Sequence, residues 1–137
     1  MNIVICGSMQ FCKEMVAAKI EMENLGCFVL LPKHTEEFAK NGRNDNESSE
    51  SIKNKIEQDL IREYFEEIKK CDAVLIFNME KKNIPGYVGG NTFLEMGFGH
   101  VLNKKVYLLN DIPEVSYKDE IIAMQPIVIN GDFKKIC

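Results

Sequence analysis

The stretch Asp72–Asn78 (DAVLIFN) decides the fold class of this chain. Its apolar residues are continuous rather than alternating with polar ones, which is typical of a parallel strand covered by helices on both faces of its sheet. A second run of this kind, Asn2–Cys6 (NIVIC), ends at the turn residues Gly7 and Ser8. The two runs therefore predict buried neighbouring strands of a parallel sheet.

Working outward from these runs, strand and helix patterns alternate along the whole chain. The predicted strands are Asn2–Cys6, Cys27–Leu31, Asp72–Asn78, Lys105–Leu109 and Ile127–Ile129, and the predicted helices cover 10–25, 52–70, 91–102 and 117–124. This alternation predicts a three-layer α/β sandwich with a five-stranded parallel sheet, flavodoxin- or Rossmann-like, in the order 2-1-3-4-5. A length of 137 residues predicts one domain over 1–137.

Residues 33–51 depart from this pattern because they are polar, with Asn, Gly, Ser and Glu crowded together and few apolar anchors. They predict a mobile surface loop with a partial helix at 35–40. The loop follows the second strand, on the rim where such sheets bind ligands, so we expect it to close over a bound ligand.

Composition excludes several classes of function. A net charge of −4 and a pI near 5.3 argue against a nucleic-acid partner, and no apolar run is long enough for a membrane span. The five cysteines include no CxxC pair and no secretory signal precedes them, so reduced thiols in a cytoplasmic protein are predicted. No metal-ligand spacing, P-loop or GxGxxG motif is present, and no cofactor is predicted.

Two segments follow the strands at which the predicted strand order reverses, where open α/β sheets bind ligands. The first is Gly7-Ser8-Met9, whose N–H groups and hydroxyl suit an anion or a sugar oxygen; the alternative is that Gly7 only permits a turn and Ser8 only caps a helix. The second extends from Asn78 to Glu95. Its polar residues Asn78 and Asn91, with Asn110 on the same rim, suit sugar hydroxyls or base edges, although Asn is also common at turns.

Glu95 is the most informative acidic residue. It lies near the start of an otherwise apolar helix, and a carboxylate in apolar surroundings is costly to desolvate unless it is paired or used in chemistry. The alternative is a structural role in the first helical turn, where the helix dipole favours a negative charge.

Together these segments resemble the nucleoside 2-deoxyribosyltransferase family, which includes 2′-deoxynucleoside 5′-phosphate N-hydrolases. The resemblance rests on the opening strand with Gly7-Ser8, the helix ending before Asp72-Ala73-Val74, and the segment Gly90…Glu95-Met96-Gly97. It implies an enzyme that cleaves the N-glycosidic bond of a small deoxynucleoside or deoxynucleotide, by transfer to another base or to water. Glu95 would be the nucleophile at C1′, since a carboxylate can trap an oxocarbenium-like centre as a glycosyl ester.

The resemblance also implies an aspartate from the preceding helix, near the leaving base. Asp59 is the first choice and Glu63, one turn further on, the reserve. Gly90 and the other turn residues above would contact the substrate. Phosphate-specific members carry an arginine two residues after the Gly-Ser pair, where this chain has Gln10, which weakens the prediction of a monophosphate substrate.

Two further expectations accompany the resemblance. Members complete their sites across subunits, and helix 91–102 is apolar nearly all round, so a homodimer or higher homo-oligomer is expected. A non-catalytic nucleoside- or nucleotide-binding domain of the same fold is the alternative to an enzyme.

Overall fold

The computed structural model describes residues 1–42 and 59–137. The strands are β1 (Asn2–Cys6), β2 (Phe28–Leu30), β3 (Ala73–Ile76), β4 (Lys105–Leu108) and β5 (Ile127–Val128). The α-helices are α1 (Cys12–Asn24), α2 (Thr35–Asn41), α3 (Leu60–Lys70), α4 (Gly90–Val101) and α5 (Lys118–Ala123), with short 3₁₀ turns at Met9–Phe11 and Phe133–Lys135.

The five strands form one parallel sheet in the order β2-β1-β3-β4-β5, as the sequence predicts. In the register of its centre, Val4 lies opposite Leu30 on one side and Val74 on the other. Because the order reverses between β1 and β3, the connections from their carboxyl ends diverge and leave a crevice there.

Two apolar cores cover the two faces of the sheet, which confirms the three-layer arrangement. Ile3 and Ile5 of β1 point into the core that α1 covers, together with Met15 and Met22 of that helix. The alternate residues of the strand point the other way, into the core formed with Ile68 of α3, Met96 of α4 and Ile121 of α5. The continuous apolar strands therefore bury both of their faces, as their sequence predicts.

The first predicted helix, 10–25, is divided in two. The chain makes a 3₁₀ turn at Met9–Phe11, where the Ser8 side chain accepts a hydrogen bond from the backbone N–H of Gln10, and α1 then begins at Cys12. After α1, Gly26 adopts a φ of 101°, a left-handed conformation that suits glycine and ends the helix.

The segment between β2 and β3 is described in part. The described portion of the predicted loop contains α2, close to the partial helix expected at 35–40. Residues 43–51, and residues 52–58 of the predicted helix 52–70, lie outside the described residues. The described part of that helix is α3, but Asp59 has a φ of 49° and precedes the helix, so its predicted place within the helix is wrong. A left-handed residue cannot continue a right-handed helix.

The prediction of five reduced cysteines is also wrong, because Cys27 and Cys137 form a disulfide. These residues are 110 positions apart in sequence, and the fold brings their Cα atoms to 5.6 Å, within the ordinary range for a disulfide. Sequence spacing carries no sign of such a long-range contact. Cys6, Cys12 and Cys71 are free and buried.

Candidate active site

A cavity of about 740 Å³ opens at the crevice beside the carboxyl ends of β1, β2 and β3. Its volume lies within the range of small-molecule sites. The lining includes six of the residues predicted from sequence to form the site: Gly7, Ser8, Met9, Gly90, Asn91 and Glu95. Three others, Asp59, Asn78 and Asn110, are not among the described residues that line it.

Glu95 is a buried carboxylate on the wall of this cavity, with 9% of its surface exposed. The Nδ2 group of Asn91 donates a hydrogen bond to Glu95 Oε1 at 2.8 Å, since residues four apart share one face of α4. Glu95 is the sixth residue of that helix, and no acidic residue lies in its first turn. Because the dipole effect is confined to the first turn, it does not explain this carboxylate.

A thiol and a phenol lie beside Glu95. Cys6, the last residue of β1, is fully buried. The Tyr64 hydroxyl donates to the carbonyl oxygen of Ile5. Burial, and then the negative charge of Glu95, raise the pKa of the Cys6 thiol well above its ordinary value. Burial is also the largest cause that raises the pKa of Tyr64, and the nearby Cys6 and Glu95 side chains raise it further. Both groups therefore remain protonated at neutral pH.

Cations also line the cavity, near the Gly-Ser turn. Lys81 Nζ donates to Ser8 Oγ at 3.0 Å, and the Gln10 backbone N–H donates to the same oxygen at 3.3 Å. Lys82 also lines the cavity. A Cβ atom at Gly7 would lie 3.0 Å from the Phe77 Cβ, so close packing favours glycine there. The cavity lining therefore combines the Glu95 carboxylate with ammonium groups.

The two carboxylates predicted as alternatives near the leaving base are placed differently. Asp59 is half exposed and pairs with Arg62 at 3.1 Å, outside the cavity lining. Glu63 lines the cavity and lies 3.7 Å from Lys33 Nζ, which lines it as well. Of the two alternatives, Glu63 is the one that faces the same space as Glu95.

Asn78 and Asn110 hold two loops together. Asn78 is buried, and its Nδ2 group lies 3.0–3.2 Å from the carbonyl oxygens of Gly86, Asn110 and Asp111. In return, the Asn110 backbone N–H donates to Asn78 Oδ1 at 3.0 Å, and its side chain to the Asn78 carbonyl at 3.0 Å. These contacts support a structural role for both amides, and their prediction as substrate contacts gains no support from the geometry.

Several residues in or beside the site were not predicted as site residues from the sequence. Tyr64 belongs to the apolar pattern of its helix, and nothing in the sequence marks it as a site residue. Cys6 was counted only as part of a buried strand. Lys81 reaches Ser8 across 73 positions of sequence, a contact that only the fold creates.

Over the described ranges, 1–42 and 59–137, no group of three or more His, Cys, Asp or Glu side chains is arranged to hold a metal ion. Nor does any helix in these ranges have the length and apolar character needed to cross a membrane.

The sheet order and the cavity define a Rossmann-like α/β domain with a cavity at its topological switch point. No protein-family model matches the chain, and no curated protein matches it. Among solved structures, the chain is similar to the CMP N-glycosidase BcmB of Clostridium botulinum, with a TM-score of 0.53 and 16% sequence identity. The match covers 99% of this chain and 98% of that one. At this identity the likeness shows the fold alone.

Proposed function

We propose that this protein is an enzyme that cleaves the N-glycosidic bond of a 2′-deoxynucleoside or its 5′-monophosphate, with Glu95 as the nucleophile. The observation that carries the proposal is a buried carboxylate on the wall of the cavity, oriented by Asn91 at 2.8 Å. A solved structure of the same fold is a CMP N-glycosidase, which supports this kind of reaction.

In the proposed reaction, an oxygen of the Glu95 carboxylate forms a bond to C1′ of the deoxyribose. The bond from C1′ to the base nitrogen breaks, its electron pair goes to the base, and the base takes up a proton from solvent. The resulting glycosyl ester is then attacked at C1′ by water or by a second base, which regenerates the carboxylate. Asn91 keeps one carboxylate oxygen in place during both steps.

Glu63 is the better of the two alternatives for assisting the leaving base. It lines the cavity, whereas Asp59 pairs with Arg62 outside the lining. Glu63 lies 3.7 Å from the Lys33 ammonium on the cavity lining, and we assign it to binding or orienting the base.

Lys81 supports a phosphorylated substrate in spite of the glutamine at position 10. Its ammonium group donates to the Ser8 hydroxyl, in the turn whose N–H groups and hydroxyl suit an anion or a sugar oxygen. Lys82 adds a second positive charge to the lining. A substrate with its 5′-phosphate near Lys81 and its C1′ near Glu95 would match the distribution of charge in the cavity.

The test is release of free base, followed by chromatography, from each deoxynucleoside and from its 5′-monophosphate, with and without an acceptor base. CMP and dCMP are compared directly, because the solved structure of similar fold is named for CMP. Base release supports the enzyme, and its dependence on an acceptor separates transfer from hydrolysis. Tight binding of these compounds by calorimetry without any base release would instead support the non-catalytic binding domain and overturn the proposal.

A further inference from the structure

Residues 79–87, in the connection from β3 to α4, form a loop that carries Lys81 and Lys82 of the cavity lining. We call it the lysine loop. At its tip the backbone N–H of Lys81 donates to the Ile84 carbonyl at 3.2 Å, and the Ile84 N–H donates to the Lys81 carbonyl at 2.9 Å. Between them, Lys82 and Asn83 have φ values of 54° and 60°, as in the type I′ turn of a β-hairpin. The tip therefore has a defined backbone conformation.

The neck of the lysine loop is closed by Asn78, a side chain with only 1% of its surface exposed. Its Nδ2 group lies 3.2 Å from the Gly86 carbonyl oxygen, at the other end of the loop. The same group lies 3.0 and 3.2 Å from the carbonyl oxygens of Asn110 and Asp111, which follow β4. Gly86 packs so closely there that a Cβ atom would lie 2.4 Å from the Asp111 carbonyl oxygen. Asn78 thus attaches both ends of the loop to the rim of the sheet.

The position of the Lys81 ammonium depends on the backbone of this loop. Lys81 is the third residue after Asn78, and its Nζ donates to Ser8 Oγ at 3.0 Å in the turn after β1. A lysine side chain has a flexible four-carbon stem, so it does not fix the position of its own charge. A loop that was free at its neck would have to be ordered each time a ligand bound, and that lost entropy would weaken the binding.

We propose that Asn78 is a positioning residue for Lys81: by closing the neck of the lysine loop, it holds the Lys81 ammonium in place for the 5′-phosphate of the substrate. This inference rests on the phosphate contact of Lys81 in the proposed function. Asn78 itself is not among the described residues that line the cavity. It therefore acts on the affinity for phosphorylated compounds and not on the chemistry at C1′.

The principal test measures the Kd of dCMP and of deoxycytidine by calorimetry, so that the result does not depend on turnover. We expect Asn78→Ala to weaken dCMP binding about tenfold and deoxycytidine binding by no more than about twofold, because only the phosphate uses Lys81. Asn83→Gly is the matched control. Asn83 is exposed on the same loop, outside the described lining, and glycine readily adopts its positive φ. This control should leave both Kd values unchanged.

A double-mutant cycle separates positioning from a general loss of stability. Lys81→Met should weaken dCMP binding at least as much as Asn78→Ala does. Adding Asn78→Ala to Lys81→Met should then weaken dCMP binding by no more than about twofold, because the group that Asn78 positions is already gone. A merely structural role of Asn78 would weaken binding equally in both backgrounds.

Gly86→Ala tests the neck of the lysine loop from its other end and does not remove the Asn78 side chain. The added methyl group would clash with the Asp111 carbonyl oxygen, so the neck must open. We expect the same selective loss of dCMP binding as in Asn78→Ala. This variant provides the test if Asn78→Ala does not fold.

The outcomes separate this inference from the proposed reaction. Unchanged dCMP binding in Asn78→Ala, an equal loss for dCMP and deoxycytidine, or an additive loss in the double variant each overturn the positioning role. If Lys81→Met binds dCMP as tightly as wild type does, the phosphate contact fails and the role of Asn78 fails with it. If the binding pattern is as expected but wild type releases no base, the positioning role stands and the proposed reaction is overturned.

Discussion

Replacing Glu95 with glutamine removes the negative charge from the cavity wall and changes little else. Gln has nearly the same volume, and its side-chain carbonyl can still accept the hydrogen bond that Asn91 donates at 2.8 Å. The amide oxygen is a far weaker nucleophile than a carboxylate. We therefore expect base release to fall by about 10³-fold or more, on the scale of other lost catalytic nucleophiles, while substrate binding persists.

The same substitution should cost little stability. Glu95 has 9% of its surface exposed and lies beyond the first turn of α4, so its charge is desolvated without help from the helix dipole. We expect the free energy of unfolding to change by no more than about 1 kcal/mol, and to rise if desolvation of the charge dominates.

The rate of base release is measured by chromatography and the free energy of unfolding by urea melts. Both are measured for wild type, Glu95→Gln and one control variant. Glu66→Gln is the matched control, because Glu66 is an exposed glutamate of α3 outside the cavity lining, 3.5 Å from Lys69. It should affect neither quantity by much. A Glu95→Gln variant that retains base release, or that loses it only because it no longer folds, would refute the argument.

Three further outcomes are expected. Lys81→Met should reduce kcat/KM for a 5′-monophosphate by about 10–100-fold and leave the nucleoside unaffected, while Lys105→Met, outside the cavity, changes neither; equal losses for both substrates would count against a phosphate contact. Cys137→Ser should lower the free energy of unfolding by about 2–5 kcal/mol in urea melts, because the disulfide closes a loop of 110 residues; a reducing agent should lower wild type by the same amount and leave the variant unchanged. Sedimentation at micromolar concentration should give a dimer or larger, since Leu94 and Val101 leave 41% and 80% of their surfaces exposed on α4. Val101→Lys should shift this equilibrium toward monomer, and a monomeric wild type would contradict the expectation.

The fold could be predicted from the sequence because its signals are local. The apolar runs Asn2–Cys6 and Asp72–Asn78 have no polar interruption, and only a sheet covered on both faces can bury them. Because these strands alternate with helices along the chain, few strand orders of the sheet remain possible. The exact ends of the helices were harder to predict, because they depend on the conformation of single residues. Asp59 is left-handed and precedes α3, and the local pattern of apolar residues does not indicate this.

The candidate site was predictable only where one segment carries the information. Glu95 stands out because its apolar neighbours make a carboxylate costly, and Asn91 lies four residues before it on the same helix face. Lys81 and Ser8 meet across 73 positions, and Cys27 meets Cys137 across 110, so neither contact follows from local spacing. Such contacts require the packed fold.

The most direct test of the central claim is to trap the glycosyl ester on Glu95. The protein is mixed with a deoxynucleoside or its 5′-monophosphate, quenched in acid within milliseconds, digested and examined by mass spectrometry. We expect the peptide that contains Glu95 to gain the mass of one deoxyribosyl group from the nucleoside, or of one phosphodeoxyribosyl group from the monophosphate. This adduct should be absent from Glu95→Gln treated in the same way. An adduct on another residue, or rapid base release with no adduct at any quench time, would contradict the assignment of Glu95 as the nucleophile.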